Sequence, residues 1–176
     1  MLDRGFAPTF QPTEDPSGYY DFSMVRAVAV LPDAKILVGG LFTSVNRVVR
    51  VGIVRLNADG SVDPAFSHGT FIGGPPSSGG YVVDMVVQAD EKIVIGGLGN
   101  TLRDVYHNTV LRLLPNGGVD ADFLSSLSRP FWDGGLVPFP VQSLVAQRNG
   151  QILALGYGFS QPLVRDRCIG QLKTLQ

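Results

Sequence analysis

Residues 25–40 read VRAVAVLPDAKILVGG, and two later stretches repeat them without a gap, VVDMVVQADEKIVIGG at 82–97 and VQSLVAQRNGQILALG at 141–156. Lys35, Lys92 and Gln151 mark one position in the three copies, 57 and then 59 residues apart. Self-similarity at such a period is the mark of a repeat architecture built from one supersecondary unit. A second block follows each first block: IVRLNADGSVDPAF at 53–66, VLRLLPNGGVDADF at 110–123, and only its beginning, IGQLKTLQ, at 169–176. The remainder stands at the other terminus, where Leu2-Asp3-Arg4-Gly5-Phe6 has the Leu/Val-Asp-x-x-Phe form of residues 62–66 and 119–123. The chain therefore reads as three repeats, at approximately 11–66, 67–123 and 124–176, with residues 1–10 completing the last.

Each first block has strand chemistry. VRAVAVL is a mostly apolar run dominated by β-branched residues, which predicts a strand covered on both faces. Pro32-Asp33-Ala34-Lys35 predicts a reversal, because proline presets the turn dihedral and aspartate accepts backbone N–H groups. Asn149-Gly150 is the hairpin signal of the third copy. Ile36 to Val38 is expected as the second strand, ending in Gly39-Gly40, where a missing Cβ permits a bulge or close sheet packing. Ile53 to Leu56 predicts a third strand, Asn57 to Gly60 a tight turn, and Val62 to Phe66 a short fourth segment. Four antiparallel segments in about 58 residues are what one propeller blade requires, and neighbouring blades must cover its faces. The expected fold is all-β: one β-propeller-type domain over 1–176, made of three four-stranded blades with no helix of note.

Composition bounds the function. A chain of 176 residues with 44% hydrophobic and 16% charged residues has enough apolar content for a core. Its 22 glycines and 12 prolines sit between the apolar runs, as turns should. Fourteen basic residues against fifteen acidic ones leave a net charge of −1, which gives no field to hold a nucleic acid or an anionic membrane. Cys168 stands alone, so no intrachain disulfide forms, and no Cys/His spacing suits zinc. Beside Ile169 it reads as a small core hydrophobe. Met1 to Phe10 mixes an acid, a base and a proline, unlike a signal peptide, and no apolar run is long enough for a transmembrane helix. No cofactor is expected.

The strings at 32–40 and 53–66 resemble the delta-60 repeat, a β-propeller repeat of large bacterial surface and secreted proteins. Ala34 and Glu91 stand where that pattern prefers glycine, while Ile36 to Gly40 and Arg55 to Phe66 match it closely. The resemblance implies a propeller architecture, a bacterial origin and a secreted or cell-surface setting. It brings no catalytic residues, because the family pattern consists of turn and core positions.

Propeller rings usually hold about four to eight blades, more than the three repeats here. A head-to-tail homodimer, in which Leu2 to Phe6 supply the strand that a neighbour's last repeat lacks, would give a six-bladed ring and relieve exposed edges. A fragment of a longer single-chain propeller ranks after it, and a closed three-blade monomer last.

Candidate sites are sparse. Asn57 to Asp63 carries oxygens at alternating positions with a glycine, like a calcium loop, but Pro115 to Asp120 loses most of them, so turn chemistry and backbone capping by Asp63, Asp120 and Asp3 are the expectation. His68 and His107 are isolated and form no triad. Binding is expected, if anywhere, at loops that differ between copies: Tyr19 and Tyr20 before the first blade, Phe131 and Trp132 before the third, and Arg47 and Arg50, with Arg103 at a similar place in the second copy. The same aromatics would also serve as plugs of the core. Gly73 to Gly80 reads as a joint between repeats and lacks the ending of a phosphate loop. These residues point to a non-catalytic module that binds protein or glycan or assembles with itself. A propeller-type hydrolase such as a glycosidase is the rival, weakened because Asp84 is the one acid inside an innermost strand. A purely structural segment of a large bacterial surface protein is the third possibility.

Overall fold

The computed structural model describes residues 5–12, 23–66, 81–98, 101–102, 105–106, 110–123, 141–160 and 164–172. A short β1 (Phe10–Gln11) precedes the first repeat, which contains β2 (Met24–Val30), β3 (Ile36–Leu41), the small hairpin β4 (Ser44–Val45) and β5 (Val48–Val49), and β6 (Ile53–Leu56). The second repeat carries β7 (Tyr81–Val87), β8 (Ile93–Leu98), the hairpin β9 (Thr101–Leu102) and β10 (Val105–Tyr106), and β11 (Val110–Leu113). The third carries β12 (Val141–Ala146), β13 (Ile152–Ser160) and β14 (Val164–Leu172). Three antiparallel sheets result, in the orders β2-β3-β6, β7-β8-β11 and β12-β13-β14. A single helical turn at 121–123 accompanies them.

The three sheets share their register. Ile36 lies opposite Leu56, Ile93 opposite Leu113, and Ile152 opposite Leu172. Each innermost strand is bulged at one equivalent place, between Val25 and Ala27, Val82 and Asp84, and Val141 and Ser143. A bulge re-aims the residues on either side of it. Val25 and Val28 thereby come to one face of the first sheet, as do Val82 and Met85 in the second and Val141 and Leu144 in the third.

Turn chemistry repeats as well. The amide of Leu31 donates to the Lys35 carbonyl and that of Ala34 to the Leu31 carbonyl, and the same pair of bonds recurs at Gln88–Lys92, Gln147–Gln151, Asn57–Ser61 and Leu114–Gly118. Each is a three-residue loop, a type I turn followed by a left-handed residue. The left-handed position is held by Gly60, Gly117 and Gly150, but by Ala34 (φ 64°) and Glu91 (φ 62°) in the first two copies of the β2–β3 turn. Just before it stands Asp33, Asp90, Asn149, Asp59 or Asn116, whose side-chain oxygen accepts the amide two residues on. Asn149-Gly150 thus makes the expected hairpin with a three-residue loop rather than a two-residue one.

The sheets stack face to face. Ala27, Leu37, Ile53 and Phe66 of the first pack against Val82, Met85, Ile93, Ile95, Leu111 and Leu113 of the second. Val94, Val110 and Phe123 of the second pack against Val141, Leu144, Ile152 and Ala154 of the third. The glycines at 39 and 96 make the stacking close: a Cβ at Gly39 would fall 2.6 Å from Met85 Cε and 2.7 Å from Val82 Cγ1, and one at Gly96 would run into Val141 Cγ1. Each glycine is a socket for the valine and the longer side chain of the next sheet.

Two expectations need correction. The fourth segment is not a strand among the described residues; Val62 and Val119 form single bridges to Leu56 and Leu113. The chain turns away after them because Asp63 and Asp120 cap the next turn, so each sheet has three strands. The innermost strand of the first repeat is not covered on both faces either. Ala27 packs toward the second sheet, but Val28 is 60% and Val30 72% exposed. Residue type announced apolar faces there, whereas covering them requires a sheet on that side.

Candidate functional site

Three acids are positioned by the repeat. Asp63 follows the β6 turn; its Oδ1 accepts the Ala65 amide at 2.9 Å, and its Oδ2 lies 2.8 Å from Arg55 Nε and 3.1 Å from Lys35 Nζ. Asp120 reproduces this, with Oδ1 accepting the amides of Asp122 and Phe123 and Oδ2 at 2.8 Å from Arg112 Nε and 3.3 Å from Lys92 Nζ. The guanidinium of Arg55 lies over the Phe66 ring and that of Arg112 over the Phe123 ring. Arg55 also donates from Nη1 to the Pro115 carbonyl of the second repeat at 2.7 Å. Burial acts to raise both carboxyls, but the amide, lysine and arginine donors outweigh it and hold both below the ordinary aspartate value. The capping expected of Asp63 and Asp120 is present, joined by an ion-paired cluster that went unread. Its signal was in plain view: Lys35, Arg55 and Asp63 recur together as Lys92, Arg112 and Asp120. In the third repeat Gln151 and Gln171 take the places of the two cations.

Asp84, the acid of an innermost strand, has both oxygens committed. Oδ1 accepts the Met85 amide at 2.8 Å, and Oδ2 accepts the Leu144 amide at 2.7 Å and the Ser143 hydroxyl at 3.1 Å. It ties the second sheet to the third.

The Asn57 to Asp63 loop is a closed turn. Asp59 Oδ1 accepts both the amide and the hydroxyl of Ser61, and Asn57 Nδ2 donates to the same hydroxyl. Those hydrogen bonds from Ser61 hold the exposed Asp59 carboxyl below its usual value. Among the described residues no three His, Cys, Asp or Glu side chains gather where a metal could sit.

Arg47 and Arg50 belong to the small β4–β5 hairpin. Asn46 and Arg47 are its two loop residues, both left-handed (φ 51° and 65°), which is the type I′ arrangement that suits a two-residue hairpin. Asn46 anchors the hairpin: its Oδ1 accepts the Thr9 amide and its Nδ2 donates to the Gly60 carbonyl. Arg47 is exposed at the tip, while Arg50 is half-buried and donates to the Val49 carbonyl, its Nε buried without a hydrogen bond among the described residues. Tyr19, Tyr20, Phe131 and Trp132 lie outside the described residues, as do Asp3, His68, Arg103, His107 and Gly73 to Gly80.

The most distinctive surfaces are apolar and stand at the two ends of the stack. On the first sheet the outer half is sealed: Phe6 and Phe10 pack on Val38, Phe42, Val45, Val54 and Leu56. The inner half is bare, with Val25, Val28 and Val30 in solvent. On the third sheet Val145 is 55% and Leu155 41% exposed. Sequence reasoning did not find these faces, because nothing in a strand's own composition says whether a neighbour is present. No helix among the described residues is long and apolar enough to cross a membrane.

Comparison with known proteins agrees with the repeat. Residues 31–66 and 88–123 match a family model described as a domain of unknown function (DUF5122), beta-propeller. No curated protein matches the chain. Among solved structures, the chain is similar to a catalytically inactive virginiamycin B lyase from Staphylococcus aureus crystallised with quinupristin, at 10% identity and a TM-score of 0.44. That likeness covers 97% of this chain and 47% of the lyase, so the chain spans about half the length of that protein.

Proposed function

We propose that this chain is a non-catalytic β-propeller repeat module, kin to the delta-60 repeats, that works by association and assembles with a second copy of itself. The observation that carries this is the pair of bare apolar sheet faces at the ends of the stack, Val28 and Val30 at one and Val145 and Leu155 at the other. Exposed apolar patches of this kind mark association surfaces. Two copies bring six sheets, within the range of about four to eight blades that close into a ring.

The state of the acids supports the non-catalytic part. General acid–base work needs a carboxyl within reach of substrate and titrating near the operating pH. Asp63 and Asp120 are held low, and their oxygens, like those of Asp84, accept from donors of the fold itself. These carboxylates hold the repeats in shape. Sedimentation equilibrium tests the assembly: the expected mass is twice the 18.8 kDa of one chain. A mass of one chain at every concentration, with the strand signature intact in circular dichroism, would overturn it.

A further inference from the structure

We infer that the bare face of the first sheet docks on the bare face of the third sheet of a second copy, head to tail, as one more instance of the junction that already joins the sheets within the chain. This rests on the self-assembly proposed above and names the surfaces and residues that perform it.

Each internal junction has a knob side and a socket side. Val82 and Met85 of the second sheet enter the space over Gly39 of the first, and Val141 and Leu144 of the third enter the space over Gly96 of the second. By position in the repeat, Val25 and Val28 are the knobs of the first sheet, and Leu155 occupies the socket place of the third. Both are uncovered: Val28 is 60% and Leu155 41% exposed. Val30 and Val145 extend the same two faces, matching Val87, which packs on the first junction, and Val86, which packs on the second.

The sizes of the end residues agree with such a partner. Inside the chain a long knob, Met85 or Leu144, meets a socket with no side chain. At the ends the socket is filled by leucine, and the knob is the shorter valine. Volume moved from one side of the contact to the other is what a close-packed junction tolerates best. A face-to-face pairing of two identical ends would bring knob against knob, or leucine against leucine, and would lose this match.

A further aromatic is already in place. Phe66 lies in the first junction and Phe123 in the second, each at the end of its Val-Asp-x-x-Phe segment. Phe6, their counterpart, packs on the outer half of the bare face. The first sheet thus carries the outer filling of a preceding junction and lacks the inner strands that would complete it. Strands β12 and β13 of a second copy carry the residues that fit there, and a reciprocal contact closes the pair.

The test uses the full chain with Val28→Asp and Leu155→Lys, both at exposed positions where neither change disturbs the isolated fold. Circular dichroism and thermal unfolding of each variant check that it does not. Sedimentation equilibrium is expected to give two chains for the native protein and at least a tenfold weaker association for each variant alone. The equimolar mixture is expected to recover the two-chain species, because one junction is native and the other pairs the introduced carboxylate with the introduced ammonium. Loss of assembly in one variant only, with no rescue in the mixture, would mean a symmetric end-to-end contact and would overturn the inference while leaving self-assembly standing. A native protein that stays at one chain would remove both.

Discussion

At the left-handed position of the β2–β3 turn the repeats place alanine, glutamate and glycine in turn. Ala34 and Glu91 adopt φ values of 64° and 62°, beside 81° for Gly150. A side chain there crowds the following carbonyl, at a cost of about 1–2 kcal/mol, part of which glycine gives back as unfolded-state entropy. Ala34→Gly is therefore expected to stabilise the protein by about 0.5–1 kcal/mol, raising the melting temperature by about 2–4 °C. Differential scanning calorimetry of the variant measures it, and a lowered midpoint would contradict it. The departure from glycine was legible in the sequence, because a turn needs one special dihedral and residue type reports it directly. The carboxylate clusters were not, since Asp63 and Lys35 meet only after the strands pair. Asp63 and Asp120 titrate below their unfolded-state value of about 3.9, so they stabilise the fold fully above that value and lose this as pH falls through the folded one. Urea unfolding at a series of pH values should show stability level from pH 7 to about 5 and falling below about 4. Asp120→Ala leaves Arg112, 3% exposed, as a buried cation without its carboxylate. That variant is expected to lose about 3–5 kcal/mol at pH 7 and to show a shallower acid limb.

Among the elements, strands and turns followed from short patterns, while their contacts did not. The segments beginning at 36, 93 and 152 are strands as their residues predict, and their glycines lie where sheets approach. The order of events in each repeat, with a β4–β5 hairpin between the second and third strands of the first, escaped the pattern because two-residue strands leave too little periodicity to read. The fourth segment failed for another reason: its valine pairs once and the capping aspartate then diverts the chain. Gly96 shows how tight the stacking is. A methyl group there meets Val141, whose branched Cβ has little freedom to yield, so Gly96→Ala is expected to cost about 1–3 kcal/mol. Val141→Ala in the same chain should recover part of that loss in urea unfolding; an additive loss would show that the two residues do not share the site.

For the whole molecule, stability and assembly are one question. The bare valines of the first sheet and the bare Val145 and Leu155 of the third lose water contact only when another sheet arrives. If a second copy supplies it, association adds to the stability of the folded state by mass action. The thermal midpoint should then rise with protein concentration over the range in which sedimentation shows two chains forming, and Val28→Asp should abolish that dependence. A midpoint independent of concentration would separate folding from assembly. From sequence alone came the repeat, the apolar strands, the five turn loops and the glycine sockets, because each depends on residue type over a few positions. Only the tertiary structure decided which face of each strand is covered, which cations reach which carboxylate, and that both ends of the stack are bare, because those properties depend on groups brought together from repeats some 57 residues apart.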